Sequence, residues 1–194
     1  MIYALVVQET LDQRAVSLQD LLKYINSLSI SILQYRNKTG TLSEKKRALQ
    51  TIKRLYSGKV IVNDTIALID DVDGLHLGQE DIGQYGETKR EAVVEIRKRI
   101  GRKLLGLSTH NAAEVEEANP LDIDYIGLGA YRSTGTKKDV EVKGTALLEI
   151  AKRSRHPVAI IGGVRLDDAF DESIAYRVVG SDLYTTLCQK DLQC

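Results

Sequence analysis

Cysteine and proline are scarce in this chain. The two cysteines, Cys188 and Cys194, both lie at the far C-terminal end, so neither a disulfide framework nor a metal-ligand spacing exists, and a reducing cytoplasm is the expected setting. Only two prolines occur, and no Pro/Gly/Ser linker divides the 194 residues. One domain over 1–194 is expected. Neither sign of charge is in excess, since 27 Lys+Arg meet 27 Asp+Glu. No global field therefore draws the chain to nucleic acid or an anionic membrane. Long hydrophobic runs are missing too: no segment approaches bilayer-spanning length. The first nine residues carry no basic head and too short an apolar run for a signal peptide. The remaining composition, 43% hydrophobic and 28% charged, suits a globular enzyme with a substantial core. Any affinity for phosphate must come from a local site.

What is present is a rhythm. Apolar runs of strand length recur at 2–7, 30–35, 59–62, 74–77, 104–107, 125–128, 158–161 and 174–179. Helical stretches fall between or after them at 17–28, 43–57, 65–71, 87–99, 111–118, 143–154, 167–172 and 181–191, those at 65–71 and 167–172 being short. Strands alternating with helices predict βα units and a parallel sheet. Eight units in a chain of this size fit a compact α/β (β/α)8 TIM barrel better than an open doubly wound sheet.

Barrels of this kind place their chemistry at the C-terminal ends of the strands. Strand two ends Gln34-Tyr35-Arg36-Asn37-Lys38, where alternation turns Gln34, Arg36 and Lys38 the same way. A guanidinium and an ammonium converging on one spot suit a polyphosphate. Strand three ends in Asn63-Asp64, and strand four runs into Gln79-Glu80-Asp81. Carboxylates at buried strand ends are costly unless solvated, paired or metal-bound. Asp64 and Asp81 are therefore read as Mg²⁺ ligands, in place of the alternative that Asp64 merely caps the next helix. His76, between Leu75 and Leu77, reads as a hydrogen-bonded core residue rather than a ligand.

Strand five ends Ser108-Thr109-His110-Asn111. Ser108 and His110 share a face, Asn111 or Thr109 is placed to cap the next helix, and no nucleophile elbow supports a hydrolase. Hydrogen bonding to substrate or proton transfer suits His110. After strand six, residues 129–139 form a polar loop containing Thr134, Thr136 and Lys137, read as a phosphate loop able to close over a ligand. Gly162-Gly163 and Gly180-Ser181 end strands seven and eight. There, close backbone approach and a helix N-terminus suit a monophosphate. Two anion sites thus face each other across one mouth. That pattern implies a two-substrate transfer with diphosphate leaving.

Gln34-x-Arg36-x-Lys38, Asn63-Asp64, His76-Leu77-Gly78-Gln79-Glu80-Asp81, Ser108-Thr109-His110, Thr134-Gly135-Thr136-Lys137-Lys138-Asp139 and Ile161-Gly162-Gly163-Val164 resemble the thiamine-phosphate synthase family in order and spacing. The resemblance implies joining hydroxymethylpyrimidine diphosphate to a thiazole phosphate, with release of diphosphate and thiamine monophosphate. It implies Mg²⁺ on Asp64 and Asp81, and diphosphate on Arg36, Lys38, Asn63 and Lys137. Gln34 and Ser108 would contact the pyrimidine, and Thr134, Thr136, Gly163 and Ser181 the thiazole phosphate. Its partners are then small molecules, with neither nucleic acid nor membrane, and a homo-oligomer stays open. Arg132-Ser133 stands where the family has an aromatic-proline pair, and the last strand lacks the family's Gly-Ala run. Two rivals remain. One is the related thiazole tautomerase, whose acid/base histidine falls at His110; the other is a non-catalytic thiamine phosphate binder.

Overall fold

In the computed structural model, residues 1–132 and 144–191 are described. Eight parallel strands close into a barrel in sequence order. They are β1 (Ile2–Val7), β2 (Ile32–Arg36), β3 (Lys59–Asn63), β4 (Gly74–Leu77), β5 (Leu104–Thr109), β6 (Tyr125–Leu128), β7 (Val158–Ile160) and β8 (Tyr176–Val179). Closure is made by β1 against β8, with Tyr3 beside Val178 and Ala4 beside Val179. The predicted (β/α)8 architecture is the one observed.

Alternation sorts the strand residues into two cores. Ala4, Val6, Leu33, Val60, Val62, Leu75, Leu105, Leu107, Ile126 and Ile160 face outward onto the helices. Tyr3, Ile61, Tyr125, Ala159 and Val178 fill the barrel, with Leu5, Ile32 and Tyr176 packed on them. Three tyrosine rings, Tyr3, Tyr125 and Tyr176, meet edge to face at 5.9–6.2 Å. The interior is therefore apolar in its rings but carries hydroxyls that need partners.

The helices follow from local signals. Ser17 caps α2 (Leu18–Ser27), and Thr41 and Thr88 form capping boxes with Glu44 and Glu91 on α3 (Leu42–Leu55) and α5 (Lys89–Ile100). Asn111, not Thr109, caps α6 (Ala112–Ala118). Helix α7 (Ala146–Ala151) is shorter than the predicted 143–154, and α8 spans Ser181–Asp191. The 65–71 segment is a 3-10 helix, Ile66–Asp71.

Three differences stand out. The polar stretch after β1 forms α1 (Gln8–Arg14), and α4 (Gln79–Ile82) with a 3-10 turn (Gly83–Tyr85) follows β4; neither was foreseen. The predicted helix at 167–172 is absent, replaced by turns. There the Asp168 carboxylate accepts from Arg165 N at 2.8 Å, and Asp171 accepts from Ser173 N at 3.0 Å. Short acidic side chains that bind nearby backbone compete with the helical ladder, and here they win. No helix among the described residues is long and apolar enough to cross a membrane.

Candidate active site

A cavity of about 610 Å³ opens at the C-terminal mouth of the barrel. Ten predicted residues line it: Gln34, Arg36, Lys38, Asn63, Ser108, His110, Gly162, Gly163, Gly180 and Ser181. Arg36 and Lys38 stand on the β2 side, and the paired glycines and Ser181 on the β7–β8 side. Thr134, Thr136 and Lys137 lie outside the described residues. A second cavity, on the outer side of β2, brings together none of the predicted residues.

Asp64, Asp81 and Gln79 are not among the cavity's lining residues, though Asp64 follows Asn63 and Gln79 bonds to Ser108, both of which are. Asp64 adopts a left-handed backbone, φ 56°, a conformation that Asp tolerates better than most residues. Its carboxylate does not cap the following 3-10 helix. Instead Oδ1 accepts from Gly78 N at 3.2 Å, and Oδ2 accepts from the Asn63 amide. Burial raises the Asp64 carboxyl above its ordinary value and the charge of Asp81 raises it further, while Gly78 N, Lys38 and Arg36 pull the other way. A carboxylate whose ionisation a neighbouring carboxylate opposes is relieved by a divalent cation. Among the described residues no group of three or more His, Cys, Asp or Glu could cage a metal. Mg²⁺ needs no cage, since it is commonly held by one or two carboxylates plus substrate phosphates. The donor set fits.

Gln79 donates its side-chain amide to the Ser108 carbonyl, tying α4 to the end of β5. His110 bonds through Nδ1 to Glu114 Oε2 at 3.0 Å, and its backbone N donates to the same oxygen at 2.8 Å. The glycines after β7 also answer a packing need. Gly162 and Gly163 have φ 94° and 62°, and a Cβ on Gly163 would lie 2.6 Å from Arg132 Cβ. Arg132 forms a clasp beside this turn. It bonds Asp168 at 2.5 and 2.9 Å and the Gly163 carbonyl at 3.0 Å, and stacks 4.6 Å from the Tyr131 ring centroid.

Several residues at the cavity escaped sequence reasoning. Glu9, Thr10, Gln13 and Arg14 of α1 form part of its wall. Glu9 Oε1 accepts from Lys38 N at 2.7 Å and Thr39 N at 3.3 Å, while Oε2 is buried with no hydrogen-bond partner among the described residues. Burial works to raise this carboxyl. The backbone donors and the Arg36 charge outweigh it and hold the group below its ordinary value. The sequence signal was a polar run directly after the first strand, interrupted by Leu11 alone.

Beneath the cavity runs a continuous chain of polar groups. Gln34 Nε2 donates to Asn63 Oδ1 at 2.6 Å, and Tyr3 OH donates to Gln34 Oε1 at 3.0 Å. Tyr3 OH meets Tyr125 OH at 2.9 Å, Tyr125 OH meets His76 Nδ1 at 3.1 Å, and His76 Nε2 meets Ser108 Oγ at 2.9 Å. His76 is the buried, hydrogen-bonded residue its apolar flanks suggested, 8% exposed. Burial pushes both phenols upward, against the lowering pull of the Tyr3 hydrogen bond on Tyr125, so Tyr3 and Tyr125 stay protonated. Gly106 makes room for the Tyr125 ring, which a Cβ there would strike.

With this geometry in place, comparison with known proteins is decisive. The family model for thiamine monophosphate synthase matches residues 3–179. The chain belongs to the thiamine monophosphate synthase family. Thiamine-phosphate synthase of Halalkalibacterium halodurans is 35% identical over 173 residues, 85% of this chain and 77% of that protein. The namesake from Persephonella marina is 37% identical over 142 residues, 69% of this chain but only 63% of its own length. Thiamine phosphate pyrophosphorylase from Pyrococcus furiosus superposes with a TM-score of 0.74, covering 98% of this chain and 96% of that one. At 19% identity that last likeness shows the shared barrel alone. In this family member, then, the barrel is the one that the resemblance read from the motifs implies.

Proposed function

We propose that this chain joins a pyrimidinylmethyl diphosphate to a thiazole phosphate, giving thiamine monophosphate and diphosphate, with Mg²⁺ as cofactor. The observation that carries the reading is the division of one cavity. Arg36 and Lys38 line its β2 side, their charges reaching the Asp64 carboxylate just outside the lining, and a glycine-rich turn and helix start stand opposite.

In this reading Arg36 and Lys38 bind the diphosphate and neutralise charge as its C–O bond breaks. The departing diphosphate takes the bonding electrons, and the thiazole nitrogen lone pair then forms the new C–N bond. Asp64 and Asp81 would hold Mg²⁺, which supplies further charge neutralisation on the leaving oxygens when bound. Asn63 orients Asp64 through its amide. Gly163 and Ser181 bind the thiazole phosphate through backbone donors and keep the acceptor in line. Lys137, Thr134 and Thr136 belong to the same proposal by position in the motif. The setting proposed is the cytoplasm.

The test follows both products with and without Mg²⁺. Metal-dependent formation of thiamine monophosphate and diphosphate in equal amounts supports the synthase. Asp64→Ala and Asp81→Ala should each abolish that turnover in a folded protein, and wild-type rates in either would sink the metal assignment. No product from folded wild type would turn attention to the His110–Glu114 pair and a thiazole isomerisation.

A further inference from the structure

The chain of polar groups under the cavity has a direction, and each link fixes the next. A carboxylate accepts and does not donate. The Asn63 amide nitrogen therefore points at Asp64, and its oxygen turns to Gln34. Gln34 must then offer Nε2 to Asn63, which leaves Oε1 for Tyr3. A phenol has one proton. Tyr3 gives its proton to Gln34, so it accepts from Tyr125, and Tyr125, its proton spent on Tyr3, accepts from His76 Nδ1. With His76 neutral, a proton on Nδ1 leaves Nε2 as an acceptor, and the Ser108 hydroxyl donates to it.

We infer that Tyr3, Tyr125 and His76 are positioning residues that set the polarity of the pocket floor. They leave Ser108 Oγ as an acceptor and the second Gln34 N–H as a donor toward the ligand. An edge that pairs an amino donor with a ring-nitrogen acceptor matches this floor. An edge that carries an oxo group and a ring N–H inverts both partners and is rejected. The inference rests on the synthase reading for the identity of that ligand as an aminopyrimidine. The direction of the chain does not depend on it. Discrimination against the inverted edge arises because a mismatched, desolvated polar pair loses its hydrogen bonds in both partners.

Two measurements test this. Imidazole nitrogen NMR on the substrate-free protein reads the His76 tautomer. Only three histidines occur, and His110→Gln and His156→Gln assign the other signals by their loss. The expected result is a neutral His76 with its proton on Nδ1. A proton on Nε2, or an imidazolium at neutral pH, overturns the inference. The second measurement compares the aminopyrimidine diphosphate with its oxo analogue in wild type and Tyr125→Phe. The kcat/KM ratio between the two should fall by about tenfold in the variant, as His76 samples both tautomers. An unchanged ratio overturns the positioning role. If Tyr125→Phe does not fold, Tyr3→Phe breaks the same chain one link earlier and is read the same way. Absence of turnover with either pyrimidine in wild type would refute the synthase reading, and the NMR result would still decide the direction.

Discussion

Glu9 offers a prediction in which two effects of opposite sign can be separated. Its Oε1 holds the Lys38 and Thr39 amides at 2.7 and 3.3 Å, and its charge stands near Arg36. Glu9→Ala removes both the anchor and the charge; Glu9→Gln removes the charge but keeps an acceptor oxygen. Hydrogen bonds to a charged group contribute about 1.5–3 kcal/mol when the partner is left buried. These amides lie in an exposed turn where water replaces the lost acceptor, so a loss of about 1–2 kcal/mol, or 5- to 30-fold in diphosphate affinity, is the expected anchor effect. Removing a negative charge beside Arg36 acts the other way, by ~1 kcal/mol at effective dielectrics near the surface and less at high salt. Calorimetric titration with inorganic diphosphate and Mg²⁺ separates them. Glu9→Gln should bind as tightly as wild type or more tightly, and Glu9→Ala more weakly than wild type by up to about fivefold. If both variants bind more tightly to the same degree, the turn needs no anchor and the reasoning is wrong.

Three further expectations follow from particular contacts. Hydrogen bonds from Arg132 hold the Asp168 carboxyl below its ordinary value. A carboxylate whose folded value is depressed contributes stability above the unfolded value of about 3.9 and loses it as pH falls through the folded one. Arg132→Met should therefore cost about 1 kcal/mol near pH 7, a modest figure because the Arg132 side chain is 41% exposed. The gap from wild type should close below about pH 4, and a urea-denaturation gap that persists in acid would count against the pairing. Gly106→Ala drives a methyl into Tyr125 and to within 2.6 Å of His76 Nδ1. Overpacking of this kind costs about 1–3 kcal/mol, read as a Tm lowered by roughly 2–4 °C per kcal/mol; an unchanged Tm would show that the barrel interior yields freely. Thr88→Ala removes the cap and half of the capping box of α5, so Tm should fall by the equivalent of ~1 kcal/mol with kcat/KM unaltered. Altered kcat/KM would mean that α5 communicates with the mouth.

Much of this architecture is written locally. Apolar runs such as residues 59–62 and 104–107 became strands because burial on both faces needs no partner knowledge. Alternation placed Gln34 and Arg36 on the inner face for the same reason. Thr41 and Thr88 mark helix starts through contacts three residues away. Local pattern misled where polar side chains outnumbered apolar ones. In α1 only Leu11 is buried, so its helical face left little trace. Between β7 and β8, Asp168 and Asp171 turned a helical-looking segment into capped turns.

The chain alone thus determines that eight strands form in order and that strand-end residues such as Gln34, Arg36 and Ser108 reach the mouth of the barrel, because strand period and helix caps act over a few residues. What only the tertiary structure decides is who meets whom across the closed sheet. Tyr3 and Tyr125 share a hydrogen bond at a separation of 122 residues, and Arg132 meets Asp168 at a separation of 36. Those pairings depend on the register at which β1 closes on β8 and on how β6 and β7 align. Register is a property of the whole ring of strands. No local stretch of sequence encodes it.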